Sequence, residues 1–210
     1  MITELLRHPA EIAERCRNPA AQRDVARHNL LLIAAGGALF GAVVGTFRGG
    51  AQIGISAVKI PIATLMTLAI SGPGLAAFAV AFGRSWTLRE TLSYLLSAGA
   101  RSSLVLFALS PVLWLVIDLQ ASYSAIRLAA TASYALAGLS GFLLLLRGLG
   151  PAPGRAPVAA CFVLLFLVVG GQSAWLLRPY LGNPGERQVP FFSQGRQQGG
   201  LVETLGRSAF

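Results

Sequence analysis

Negative charge is almost missing from the middle of this chain: between Leu30 and Leu177 only Glu90 and Asp118 carry it. Soluble domains spread charge along their surface helices at about 25% of residues, whereas this chain of 210 residues holds 12%. Lysine is nearly absent too, Lys59 being the only one among 17 cations. The two cysteines, Cys16 in a charged segment and Cys161 in an apolar run, fit neither a disulfide framework nor a metal-ligand spacing. His8 and His28 are the only histidines, and both lie outside the apolar runs, where they read as interfacial residues rather than ligands. No His-Glu-x-x-His, Gly-x-Ser-x-Gly, Walker loop or dinucleotide fingerprint occurs. An enzyme, a cofactor and a metal are therefore not expected, and ATP-driven work would need a partner protein. A cleavable signal peptide is not expected either. The first 29 residues mix charges of both signs and hold no apolar core.

What remains is hydrophobic: 54% of the residues are apolar, and mean hydropathy is +0.64. The apolar residues fall in long runs and the charges in the connectors between them. This predicts an all-α, polytopic transmembrane helix bundle of about five spans, at about 20 apolar residues per span. The net charge of +9 follows loop ends rather than a polar face with interleaved aromatics, so it fits span anchoring and not nucleic-acid binding.

Residues 1–29 read as a cytoplasmic amphipathic lead of two short helices, with Ile2, Leu5, Leu6, Ile12 and Cys16 at helical spacing. Pro9 and Pro19 sit where a first helical turn accepts proline, the second after Asn18. This lead is expected outside the bilayer, either solvated or on the membrane surface. The transmembrane bundle covers 30–177. Its spans are expected at about 30–47, 60–82, 104–119, 123–146 and 158–177, with an interfacial helix at 86–98 between spans two and three. Thr87 and Glu90 have the spacing of a capping box for that helix. A polar C-terminal tail, 178–210, completes the chain.

Ser71-Gly72-Pro73-Gly74 interrupts the second span and predicts either a kink or a re-entrant hairpin. Five full spans with the N-terminus inside place Arg48, Lys59, Arg127 and four tail arginines outside, leaving ten of the 17 cations inside. A hairpin gives the same split, so the positive-inside rule does not choose. Five spans are preferred because both halves of the second span are apolar enough to be continuous.

Gly37, Gly41 and Gly45 form a glycine stripe on the first span, and Ser133, Ala137 and Gly141 a similar small-residue stripe on the fourth. Such stripes let helices approach closely in lipid. They suit a dimerisation face or packing inside the bundle, the second being preferred. Lys59, Arg127, Trp175, Arg178 and Tyr180 read as interface anchors, with long cations snorkelling to the headgroups. Asp118 and Arg127 flank one short loop and are positioned to pair across it.

The order of these features resembles the Yip1 family, and within it the bacterial Yip1-like proteins. The likeness runs from HPAEIAER through GALFGAVVG, Lys59-Ile-Pro and the proline-interrupted second span to Trp175-Leu176-Leu177-Arg178-Pro179-Tyr180. It implies five spans with a cytoplasmic N-terminus. It implies no catalytic residues. The GTPase binding of eukaryotic members depends on a long N-terminal region that has no counterpart in these residues.

The expected function is that of a non-enzymatic scaffold, assembly or trafficking-type protein in the bacterial inner (cytoplasmic) membrane. Its expected partners are the lipid bilayer and either a second copy or another membrane protein. Two alternatives stand beside it: a small transporter or channel using the broken second span, and an accessory subunit of a larger membrane enzyme complex.

Overall fold

The computed structural model describes residues 2–150 and 154–176, which form seven helices. Two are short: α1 (Ile2–Arg7) and α2 (Pro9–Arg17). Five are long and apolar enough to cross a membrane: α3 (Gln22–Thr46), α4 (Ala51–Ala81), α5 (Leu88–Asp118), α6 (Tyr123–Leu149) and α7 (Arg155–Leu176). A polytopic helical bundle is the architecture, as the apolar runs predict. Trp175 lies in the last turn of α7. Arg178, Tyr180 and the tail 178–210 lie outside the described residues.

Local sequence explains the boundaries. Pro9 opens α2, where its missing N–H costs nothing. The Asn18 side chain accepts a hydrogen bond from the Ala20 amide at 3.0 Å and turns the chain toward α3. Helix α3 starts eight residues before the apolar run does, because Val25 and Asn29 are buried on one face while Arg23 and Arg27 are exposed on the other. Gly49 and Gly50, at φ of 75° and 58°, make the tight reversal into α4, a conformation that glycine takes without strain.

The preferred reading of the second span as continuous is the one observed. The Ser71–Gly74 motif does not break its span, since α4 runs unbroken for 31 residues through both Pro61 and Pro73. Proline is tolerated in a membrane helix when neighbours pack around the freed carbonyl. Here a side chain from each flanking helix fills the glycine notches. A Cβ on Gly72 would meet Leu92 of α5 at 2.6 Å, and one on Gly74 would meet Leu165 of α7 at 2.5 Å. The motif is a packing notch, and the re-entrant hairpin falls away.

The separate interfacial helix is corrected. Residues 88–98 are the first turns of α5, which continues unbroken to Asp118. The capping box is present: Thr87 Oγ1 accepts from the Glu90 amide at 3.2 Å, and Glu90 Oε2 accepts from the Thr87 amide at 2.8 Å. The stretch Gly99–Ser103, which reads as a polar connector, stays helical because its small and polar residues face other helices. Ser102 donates to the Ala137 carbonyl at 2.8 Å, and Gly36 sits against the Ser103 carbonyl.

Helix α3 packs between α4 and α5, α6 lies along α5, and α7 lies along α4. Buried apolar residues form two clusters. The larger joins the lead to the neighbouring ends of α5, α6 and α7 around Tyr94, Leu95 and Leu145, and the smaller surrounds Phe40, Ile60 and Leu113. Asp118 and Arg127 do not pair; both are exposed.

Candidate functional site

Both small-residue stripes are consumed inside the chain. A Cβ on Gly37 would lie 3.3 Å from Pro61, one on Gly41 2.8 Å from the Ser56 carbonyl carbon, and one on Gly45 2.5 Å from Ile53 Cα. Ser133, Ala137 and Gly141 are buried too, Gly141 lying against the Ala98 carbonyl of α5. These glycines join α3 to α4 and α5 to α6, so neither stripe is free to serve as a dimerisation face.

The close α3–α4 approach encloses polar groups. Gln52, Ser56 and Lys59 occupy one face of α4 at helical spacing, and all three are buried. Gln52 Nε2 donates to Ser56 Oγ at 3.0 Å. Lys59, expected as an interface anchor, has 0% exposure and lies eight residues, about 12 Å, inside the start of the helix. It lies beside Pro61, which packs on Gly37 in the middle of the first apolar run. The expectation of a snorkelling lysine is therefore corrected. The helices bury an ionisable side chain within a candidate span, a rare and usually functional feature. Sequence gave no direct sign of it beyond the polar spacing 52/56/59. Arg127, in contrast, is exposed one turn into α6, as an anchor should be.

At the opposite end the lead is docked on the bundle rather than standing apart from it. Leu5, Ile12 and Cys16 are each 0% exposed. Tyr94 of α5 donates its hydroxyl to the Ala13 carbonyl at 3.0 Å and stacks on Trp86, centroids 4.9 Å apart. Arg84 lies over the Trp86 ring at 5.9 Å and bonds the Leu149 carbonyl, tying the α4–α5 loop to the end of α6.

One buried node joins three helices. Ser97 Oγ donates to the Ser93 carbonyl at 2.8 Å and accepts from Asn29 Nδ2 at 2.8 Å. With its proton committed, it can only accept from the Cys16 thiol, 3.6 Å away. Burial pushes that thiol up from 9.0 to about 11. The folded value exceeds the unfolded one. The buried thiol's contribution to stability is therefore complete below pH 9.0 and lost as pH rises toward about 11. Near neutral pH the thiolate, the nucleophilic form, is about a hundredfold scarcer than in a free thiol.

No family model, curated protein or solved structure matches this chain. Function must therefore be read from the surface and the interior alone. The docked lead and the neighbouring helix ends gather Arg7, Arg15, Arg17, Arg23, Arg27, Arg84, Arg89, Arg147 and Arg155 at one end of the bundle. Glu4, Glu11, Glu14, Asp24 and Glu90 share that end, and Arg15 pairs with Glu4 at 3.1 Å. Along the side of the bundle, α6 and α7 scarcely touch. They leave an apolar cleft of about 440 Å³ between Leu68, Gly99, Gly138 and Phe166. Among the described residues no group of three His, Cys, Asp or Glu side chains could hold a metal ion.

Proposed function

We propose that this chain is a non-enzymatic membrane scaffold, one that presents a fixed cationic face to partners at the membrane surface. The observation that carries this reading is the docked lead. Tyr94 and Arg101 of α5 donate to the Ala13 and Leu5 carbonyls, and Ser97 accepts from the Cys16 thiol, so the helix pair is held against α5. Arg23, Arg27 and Arg89 stand exposed on that same end. A preorganised charged surface selects partners by complementarity and loses little entropy on binding. The cation excess on this end also supports a cytoplasmic N-terminus in a bacterial inner membrane, by the positive-inside rule. The order of spans and short motifs supports grouping the chain with the Yip1-like proteins.

A second reading, a small transporter, is favoured by Lys59. A buried ionisable side chain with Gln52 and Ser56 on its face is what an intramembrane ion or proton path uses. Flux into proteoliposomes containing wild-type or Lys59→Met protein separates the two. Methionine nearly conserves the volume of the lysine and removes its charge. The scaffold reading expects equal leak for both proteins and for empty vesicles. Selective flux that Lys59→Met abolishes would replace it with the transporter.

A further inference from the structure

The flank of the α5–α6 pair that carries the lead holds two arginines with unused binding capacity. Arg101 Nε donates to Ser140 Oγ at 2.9 Å and Nη1 to the Leu5 carbonyl at 3.3 Å. A guanidinium has five N–H donors, so three remain without an acceptor among the described residues. Arg147 lies seven residues beyond Ser140 on the same face of α6, and because α5 and α6 run antiparallel the N-terminal tilt of helical side chains leans Arg101 and Arg147 toward each other. Neither arginine has a carboxylate partner among the described residues. Two like charges leaning together in this way, one fixed by a serine and a carbonyl and the other exposed, suit one anion between them.

Depth says what the anion is attached to. Arg101 lies 17 residues, about 26 Å, from the Asp118 end of α5. Arg147 lies 24 residues, about 36 Å, from the Tyr123 end of α6. A hydrocarbon core about 30 Å thick that begins at Asp118 and Tyr123 ends between these two levels. The pair therefore brackets the border where lipid phosphates sit. Beside it, Ile2 and Leu6 of α1 are 51% and 44% exposed, an apolar rim suited to acyl chains and not to a water-soluble anion.

We propose that Arg101 and Arg147, with the Ser140 hydroxyl beside Arg101, bind the phosphate of an anionic phospholipid, next to the docked lead. Bidentate pairing with phosphate oxygens uses the guanidinium geometry, which lysine would not supply. Basic pockets between helices at this depth are suited to such headgroups. The site does not depend on the scaffold reading and would serve a transporter equally.

The test is lipid retention by the full-length protein, purified in mild detergent and followed by native mass spectrometry. Phosphatidylglycerol and phosphatidylcholine are supplied in equal amounts. Wild-type protein should retain phosphatidylglycerol preferentially. Arg147→Gln, which breaks no hydrogen bond or ion pair among the described residues, should lower that retention about fivefold. Arg101→Gln should lower it at least as much, and Arg127→Gln at the other end should leave it unchanged. Equal retention of both lipids, or unchanged retention in Arg147→Gln, would overturn the site. Displacement of the lipid by millimolar inorganic phosphate would overturn its assignment to a lipid.

Discussion

Gly41→Leu should abolish recovery of the folded protein from membranes. The reason is what faces the missing Cβ. It would fall 2.8 Å from the Ser56 carbonyl carbon and 2.9 Å from Ala57 Cα, both backbone atoms that cannot rotate aside. Even one methyl group forces α3 from α4, and leucine adds three more carbons into the same gap. The cost should reach at least about 3 kcal/mol, the upper end for overpacked cores, a large part of a typical fold's stability. Gly45→Ala should be nearly as damaging, with Ile53 Cα at 2.5 Å. Gly54→Ala and Gly138→Ala are the controls. Nothing lies within 4 Å of either added methyl, so the change should be neutral or gain up to about 1 kcal/mol of helix propensity. Thermal unfolding in detergent, read by fluorescence-detected gel filtration, distinguishes the four. A stripe serving assembly alone would instead leave the single chain folded and change only its oligomer size.

Tyr94→Ala should be the most damaging substitution at the other end. The ring is 1% exposed, stacks on Trp86, packs against Gly148 and holds the lead through the Ala13 carbonyl. Truncating a buried aromatic costs about 3–5 kcal/mol, and here much of that loss should fall on one contact, the docking of α2. Cys16 reports it. In wild-type membranes its buried, protonated thiol should resist maleimide near neutral pH. In Tyr94→Ala it should label at the rate of an exposed thiol, and trypsin should cut at Arg15 and Arg17. Tyr94→Phe keeps the stack and loses one hydrogen bond, about 1 kcal/mol, so it should label only slightly faster than wild type. Equal labelling of all three proteins would mean that the lead is not held by this residue.

Hydropathy made the number of spans and their approximate positions legible, because lipid demands apolar length and little else of a helix. It failed where packing overrides composition. Gly99–Ser103 has a connector's composition, yet Ser102 and Ser103 meet α6 and α3, and the helix runs on. Ser71–Gly74 reads as a breaker because the ladder loses the Pro73 N–H. Leu92 and Leu165, distant in sequence, fill the notches and hold the helix together. Lys59 misled for a related reason: its place near the start of an apolar run suggests snorkelling, while α4 in fact begins at Ala51 and buries it. The glycine and small-residue stripes were legible as close-contact faces. Which helix they meet depended on tertiary neighbours that no local pattern records. The docked lead was legible only as an apolar stripe, since its partners Tyr94, Ser97 and Arg101 lie more than 80 residues away in sequence.

The scaffold reading stands or falls on whether the fixed cationic end engages a partner. Native extraction into polymer nanodiscs, followed by mass measurement of wild-type and Arg23→Glu/Arg27→Glu/Arg89→Glu protein, measures this directly. The three side chains are exposed, so the variant should fold normally. The account predicts that the wild-type chain travels in a discrete complex of greater mass, and that the triple variant is released from it. A wild-type chain that travels alone, or a complex indifferent to reversal of these three charges, would contradict it.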